Sequence, residues 1–246
     1  MTLDRASSAP ADTWLPELAS LFTDLGDGST VTRPRADVLR MITERGLLVI
    51  DGAEHASVSI SSPGGFETVA STSDLPPRVD AIQHELRSGP GIDAAAEQRT
   101  LQADDLRADA RWPVFGRRAA ESTGVLSMLS LCMVSEDDGH RTGLNFYAST
   151  PNAFTDQSRL IGLILAAHGA LTLTRLHQRE RIENLTRALA SNRNIGTAVG
   201  IVMAMHKLTQ PQAFDLLRVA SQHSHRKLAD VAADVVETGT LELPRR

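Results

Sequence analysis

The chain has 246 residues, 41% of them hydrophobic and 22% charged, and a formal net charge of −5, so it is expected to be a soluble globular protein of one large or two small domains. Aromatic residues make up only 4%, which argues against an extended stacking surface for single-stranded nucleic acid. A single cysteine, the lack of a signal-peptide pattern, and an apolar run (160–173) broken by glycines and polar residues predict a cytoplasmic protein that does not cross a membrane.

The net charge is distributed unevenly along the chain. From Thr186 onward eight basic residues stand against five acidic ones, a net charge of +3, whereas the preceding part carries −8. Such asymmetry is a modest indication that the C-terminal part contacts a nucleic acid.

The first 34 residues are rich in Ser, Thr, Asp, Gly and Pro and predict a flexible segment. Within it, apolar residues at helical spacing predict a short amphipathic helix that docks on another element. These residues are Trp14, Leu15, Leu18, Leu21, Phe22 and Leu25.

The next part of the chain mixes helical and strand patterns. Residues 37–48 predict an amphipathic helix, and the alternation of Val58 and Ile60 predicts a strand that is followed by a turn at 63–65 and a second strand at 67–71. Residues 79–87 predict another helix, which Ser88-Gly89-Pro90-Gly91 should end because glycine and proline form tight turns.

Two further strands precede a long helix. Residues 127–134 and 142–148 predict half-buried antiparallel strands joined by a polar turn. Thr155 or Asp156 is a good helix N-cap, and no proline follows until beyond Ala190, which allows one long helix.

Apolar residues along the predicted long helix suggest a pairing surface. Ile161, Leu165 and His168 are spaced by four and three residues, and Ile182, Leu185 and Leu189 by three and four. This pattern predicts a homodimer through the helix. The alternative is that the first half packs only on its own sheet.

Together these elements predict an α+β fold in three segments. Residues 1–34 form the N-terminal segment, 35–177 a sensory-type domain with an antiparallel sheet that ends in the long helix, and 178–246 a small all-α domain.

The C-terminal residues resemble the ANTAR domain, a three-helix RNA-binding module of bacterial transcription antitermination regulators. The resemblance rests on three stretches: 189–203, 213–222 and 226–232. The family usually has asparagine where this chain has His225, and often where it has His223. It implies that the domain binds RNA hairpins in nascent transcripts and so favours read-through of a terminator.

Residues 35–177 resemble a GAF domain, and GAF followed by ANTAR is a known pairing in actinobacterial regulators. The resemblance rests on residues 88–94, 112–115 and 154–156. It implies either a small-molecule ligand, whose identity the sequence does not indicate, or a dimerisation and relay module without one. Cys132 is expected to be core and not a bilin attachment site, and His84 and His168 are candidate ligand contacts only.

The RNA site is expected at the turn before the last helix. Arginine and lysine can contact phosphates, while serine and glutamine can bond to sugars or base edges. Two alternatives are open for His225: it replaces the asparagine of the family as a hydrogen-bond donor, or it alters the RNA preference. The predicted RNA-binding residues are Arg193, Arg218, Ser221, Gln222, His225, Arg226 and Lys227.

Other classes of function are less well supported by the residues. No nucleophile elbow, phosphate loop or zinc-protease motif is present, so no catalytic residues are predicted. His223 and His225 lack the further ligands of a metal site nearby in the sequence. A ligand-sensing DNA-binding regulator and a non-catalytic adaptor remain alternatives, although the basic residues cluster at a turn and not along one recognition helix.

Overall fold

The computed structural model describes residues 15–27, 30–62, 65–135 and 141–241. The chain divides into two compact units, Met1–His177 and Gln178–Arg246, which we call the N-terminal unit and the C-terminal unit. Trp14 and most of the two predicted turns, at 63–64 and 136–140, lie outside the described residues.

Along the chain the helices and strands follow in the order α-α-β-β-α-α-β-α-β-β-α-α-α. They are α1 (Leu15–Gly26), α2 (Arg35–Val49), β1 (His55–Ser62), β2 (Gly65–Ser71), α3 (Leu75–Leu86), α4 (Pro90–Glu97), β3 (Leu101–Ala103), α5 (Pro113–Thr123), β4 (Ser127–Ser135), β5 (Arg141–Ala148), α6 (Asp156–His206), α7 (Gln210–Ser224) and α8 (Leu228–Thr238).

Within the described residues of the N-terminal unit, five strands form one antiparallel sheet in the order β2-β1-β5-β4-β3. The α+β fold predicted from the sequence is confirmed. Strand β5 is the central strand of this sheet. A central strand with helices on both faces has no solvated side, so its side chains are expected to be buried on both faces.

Helices cover both faces of this sheet. Residues of α1, α2 and the first part of α6 share a core with Leu144 and Phe146 of β5. Residues of α3, α4 and α5 share a second core with Tyr147, and Asn145 is also fully buried. The prediction of half-buried strands was therefore wrong for β5, whose residues from Thr142 to Ala148 are buried.

Helix α1 belongs to the core of the N-terminal unit, although it lies in the segment predicted to be flexible. Leu18, Leu21 and Leu25 are 5% exposed or less and pack in the first core. Phe22 stacks on His168 at a ring-centroid distance of 4.1 Å. His168, a candidate ligand contact, is therefore engaged by the unit's own helix.

Two helices between the second and fourth strands, α4 and α5, were not predicted from the sequence. Pro90, which was expected to end a helix, instead begins α4, and Pro113 begins α5. Proline suits the first helical turn because its missing N–H has no partner there in any case. Helix α5 packs so closely that a Cβ on Gly116 would lie 1.8 Å from the Leu106 carbonyl oxygen.

Helix α6 extends further than predicted. It starts with reciprocal bonds in which the Ser158 N–H donates to Thr155 Oγ1 at 3.1 Å and the Thr155 N–H donates to Ser158 Oγ at 3.2 Å. It runs past the expected end near Ala190 to His206, and Lys207 then adopts a left-handed φ of 54°. Helical residues up to His177 belong to the N-terminal unit and later ones to the C-terminal unit.

Among the described residues, α6 is the one helix long and apolar enough to meet the criteria for a membrane span. Its most apolar 18-residue window has a mean hydropathy of 1.3, and 44% of that window is buried inside the structure. A core helix of a soluble protein meets the same criteria, so this is weak evidence for a membrane.

The C-terminal unit is built from the last part of α6 together with α7 and α8. Each helix contributes small or branched apolar residues to one core, and the small side chains let the helices approach closely. The buried members are Ala198, Val199, Val202, Ala213, Leu217, Ala220, Val231, Ala232 and Val235.

Candidate functional site

The turn between α7 and α8 has a fixed backbone conformation. His225 follows α7 with a left-handed φ of 54°, and its N–H donates to the Gln222 carbonyl at 3.4 Å. The Arg226 N–H donates to the Ser221 carbonyl at 3.2 Å, and Ser221 Oγ donates to the Arg226 carbonyl at 2.6 Å. These bonds close the end of α7 as a Schellman-type cap.

This geometry gives His225 a structural role that the sequence did not reveal. The left-handed region is unfavourable for most residues, and glycine, asparagine and histidine enter it more readily than branched ones. Asparagine, which the resemblance to the family implies at this position, enters the left-handed region for the same reason. The hydroxyl proton of Ser221 is likewise used within the turn, which leaves its oxygen as an acceptor.

Two of the predicted arginines are paired with carboxylates of their own unit. Arg226 Nη1 lies 2.5 Å from Asp234 Oδ2, and Arg218 Nη2 lies 3.2 Å from Asp215 Oδ1. The hydrogen bond from Arg226 lowers the pKa of Asp234. All four side chains are about half exposed, and exposed pairs of this kind contribute little to stability. A phosphate can therefore replace either carboxylate at small cost.

Six of the seven predicted residues lie on the last part of α7 and the turn that follows it. Gln222, His225, Arg226 and Lys227 are exposed, whereas Arg193 is exposed on a different helix, α6. Lys227 is the N-cap of α8, and its carbonyl accepts the N–H groups of Asp230 and Val231.

A cavity of about 340 Å³ lies against this turn, within the C-terminal unit. Part of its lining is apolar, and part is formed by polar groups of the turn and of α8. The sequence analysis missed it because Asp234 is eight positions from Arg226, and no pattern in the sequence indicated that the two would meet. Its lining includes His223, Arg226, Val231, Asp234, Val235 and Leu241.

The N-terminal unit contains a buried polar network centred on Asp80, which is 1% exposed. Oδ1 accepts hydrogen bonds from Tyr147 Oη at 2.7 Å and Gln83 Nε2 at 3.0 Å. Oδ2 accepts from Thr68 Oγ1 at 2.8 Å and Ser57 Oγ at 3.2 Å. The carboxylate is thus saturated by side chains of its own unit.

Burial raises the pKa of both acidic groups of this network, Asp80 and Tyr147. It raises the pKa of Asp80, and the four hydrogen bonds offset only part of that rise. Burial, the Asp80 charge and the hydrogen bond to Asp80 raise the pKa of Tyr147 well above its ordinary value. Tyr147 is therefore a fixed hydrogen-bond donor.

Other candidate contacts of the N-terminal unit are less enclosed. His84 lines a cavity of about 330 Å³ beside Phe66 and Asp80. Cys132 is only partly buried, and desolvation raises the pKa of its thiol, so it lacks the thiolate character of a reactive cysteine. Within the described residues, no three histidine, cysteine, aspartate or glutamate side chains are grouped to hold a metal ion.

Residues 183–236 match the family model described as the ANTAR domain. The match includes the end of α6, all of α7, the turn and most of α8, and ANTAR domains define a family of RNA-binding antitermination regulators. No curated protein sequence matches the chain.

The N-terminal unit has the fold of GAF domains. The chain is 12% identical to the GAF domain from a phosphoenolpyruvate-protein phosphotransferase of Coxiella burnetii, covering 70% of this chain and 99% of that chain with a TM-score of 0.53. It is also 12% identical to the GAF domain of the Acinetobacter phosphoenolpyruvate-protein phosphotransferase, covering 70% of this chain and 97% of that chain with a TM-score of 0.51. It is 13% identical to the free methionine-R-sulfoxide reductase of Neisseria meningitidis, covering 72% of this chain and 98% of that chain with a TM-score of 0.52. At such identities the likeness shows the fold alone.

The chain therefore combines a GAF-like fold with an ANTAR domain, consistent with a GAF-ANTAR protein. Both are regulatory domains that are generally non-catalytic and typically soluble, although some proteins with the GAF fold are enzymes.

Proposed function

We propose that this protein is a cytoplasmic transcription antitermination regulator whose C-terminal unit binds hairpin RNA in nascent transcripts. The observation that carries the proposal is the match of residues 183–236 to the ANTAR domain. The GAF-like N-terminal unit senses a signal, dimerises, or does both.

The α7–α8 turn supports this proposal through its chemistry. Arg218, Arg226 and Lys227 are exposed cations, and arginine can hold a phosphate with two parallel hydrogen bonds. Gln222 is exposed beside them and offers both a donor and an acceptor. The locked backbone holds these groups in place before RNA arrives, which reduces the entropy lost on binding.

We also propose that the protein is a homodimer through α6. Of the predicted pairing surface, Ile161 and Leu165 are buried in the core of the N-terminal unit, so they serve the unit's own packing. Ile182, Leu185 and Leu189 of the C-terminal unit are 63%, 57% and 70% exposed. Their spacing of three and four residues places them on one face of the helix, as in paired helices.

The N-terminal unit offers its own exposed apolar residues to the same dimer. Leu160, Leu163, Ile164 and Leu171 of α6 are 38% to 59% exposed.

The buried network of the N-terminal unit bears on ligand sensing. The hydrogen-bonding capacity of the Asp80 carboxylate is already filled by side chains of the unit, so a ligand that displaced those side chains would have to supply equivalent donors.

A gel-shift experiment tests the RNA proposal. The full chain is titrated against a tandem-hairpin RNA, a duplex DNA of the same sequence and an unstructured RNA of the same length. We expect a shift with the hairpin RNA at the lowest protein concentration, with an affinity that falls as salt rises because phosphate contacts release counterions.

The comparison also separates the rival functions. Tighter binding to the duplex DNA would favour a DNA-binding regulator, and no shift with any nucleic acid would favour an adaptor. Either result would overturn the antitermination proposal.

A further inference from the structure

Two buried polar atoms on the sheet face beneath α4 have no partner in the N-terminal unit. Ser130 Oγ of β4 and Asn145 Oδ1 of β5 make no hydrogen bond within the part of the chain that the structure describes, and both residues are fully buried. An unsatisfied buried polar group is costly, so such groups in folded proteins are bonded to protein or to ordered water. Two of them on one face therefore indicate a bound molecule.

The two atoms belong to neighbouring side chains. Ser130 and Asn145 stand directly opposite each other in the β4–β5 ladder, so their Cβ atoms are about 5 Å apart and point to the same face. One small molecule placed between the two side chains can bond to both of them.

Gly143 provides room beside this pair. It is two positions before Asn145 on β5 and therefore on the same face, where it lies opposite Ser59 of β1 and Cys132 of β4. A Cβ built on Gly143 would make only ordinary contacts, the nearest at 3.5 Å from Ser59 Oγ. A group the size of a methyl fits at this position, and a water molecule has a similar size.

Ser59 supplies a third hydrogen-bonding group at the same place. Its Oγ accepts from Asn145 Nδ2 at 2.9 Å, so its own proton can be donated to a further acceptor. Above the face, α4 approaches so closely that a Cβ on Gly91 would lie 3.1 Å from Asn145 Oδ1. The place is therefore polar, small and covered, as the sites of internal water molecules are.

We propose that one internal water molecule is bound between β1, β4 and β5 under α4. It donates to Asn145 Oδ1 and Ser130 Oγ and accepts from the Ser59 hydroxyl, and three bonds are the usual number for an internal water. The water thereby links three strands of the sheet. This site lies in the N-terminal unit, and the inference does not depend on the proposed RNA binding.

A crystal structure of the full chain, at a resolution that shows ordered solvent, tests the site directly. We expect one water oxygen about 2.5–3.2 Å from both Ser130 Oγ and Asn145 Oδ1. A direct bond between the two side chains, or no density between them, would overturn the inference. Density for a molecule larger than water would overturn it as well, because the site would then hold an organic ligand.

Urea unfolding of a Ser130→Ala variant gives an independent test through the sign of its effect. Removing a hydroxyl that is bonded to water loses a hydrogen bond and should lower the midpoint, whereas removing an unpaired buried hydroxyl should raise it. Ser127→Ala is the matched control. Ser127 is also a fully buried serine of β4, and its Oγ donates to the Thr150 carbonyl at 2.8 Å. We expect the midpoints of both variants to fall by similar amounts.

The two measurements together distinguish the outcomes. A lower midpoint for Ser127→Ala with an unchanged or raised one for Ser130→Ala would contradict a bound water. A lower midpoint for Ser130→Ala without a water in the crystal structure would mean that the hydroxyl bonds to protein atoms, which also refutes the inference. If Ser130→Ala does not fold, the crystal structure of the wild type decides.

Discussion

Replacing Asp80 should reveal how strongly the buried polar network stabilises the N-terminal unit. In Asp80→Ala, four donors lose their acceptor. Ser57 and Tyr147 already lie 2.8 Å apart and can bond to each other, and Thr68 is only partly buried. Gln83 Nε2 is left without a partner at about 1–3 kcal/mol. With the lost packing, we expect a total cost of about 3 kcal/mol.

Asp80→Asn provides the matched control because it keeps the shape of the side chain. Its amide oxygen can accept from Gln83, and its N–H groups can donate to the Ser57 and Thr68 hydroxyl oxygens after those rotate. We expect it to cost only about 1 kcal/mol. The assay is urea unfolding followed by tryptophan fluorescence, because both tryptophans, Trp14 and Trp112, belong to the N-terminal unit.

The difference in unfolding free energy between the wild type and Asp80→Asn should change with pH in a definite direction. The pKa of Asp80 is raised in the folded state, so the stability it contributes is fully present below its unfolded pKa and is lost as pH rises through the folded value. The cost of Asp80→Asn should therefore be larger at pH 4 than at pH 8, while the other carboxyl groups cancel in the comparison. Equal stability of the alanine and asparagine variants, or a cost that grows with pH, would refute the reasoning.

Three further predictions concern the C-terminal unit. Replacing Arg218, Arg226 and Lys227 with alanine should weaken hairpin binding and lower the slope of log affinity against log salt by about 2, with unchanged circular dichroism; an unchanged slope would contradict their phosphate contacts. Glutamate at both Ile182 and Leu185 should convert a dimer into a monomer by light scattering, and a wild-type monomer at micromolar concentration would contradict the dimer. His225→Val should destabilise the unit by about 1–2 kcal/mol because a branched residue is strained at positive φ, whereas His225→Gly should not. Equal thermal unfolding of these two variants would rule out strain.

Much of the order of elements follows from local patterns that the chain displays openly. The alternation in β1 and the capping residues before α6 are short-range signals, since each depends on neighbours within a few positions. The ANTAR resemblance is likewise local, because a small three-helix domain is defined by one short stretch of sequence, and residues 183–236 match that family. The class of the protein was therefore accessible from the sequence.

Tertiary packing decided the rest. Ser57 and Ser59 alternate with apolar residues as on a solvated strand, yet helices cover that face and bury both. Asp80 and Tyr147 are 67 positions apart, and no local pattern indicates that the Tyr147 hydroxyl donates a hydrogen bond to the Asp80 carboxylate. Arg226 of the turn also bonds to Asp234 of α8, eight positions later and beyond the three- and four-residue spacing of helical neighbours. Such contacts depend on how elements pack in space, and the free energy of that packing is not encoded in the periodicity of any single segment.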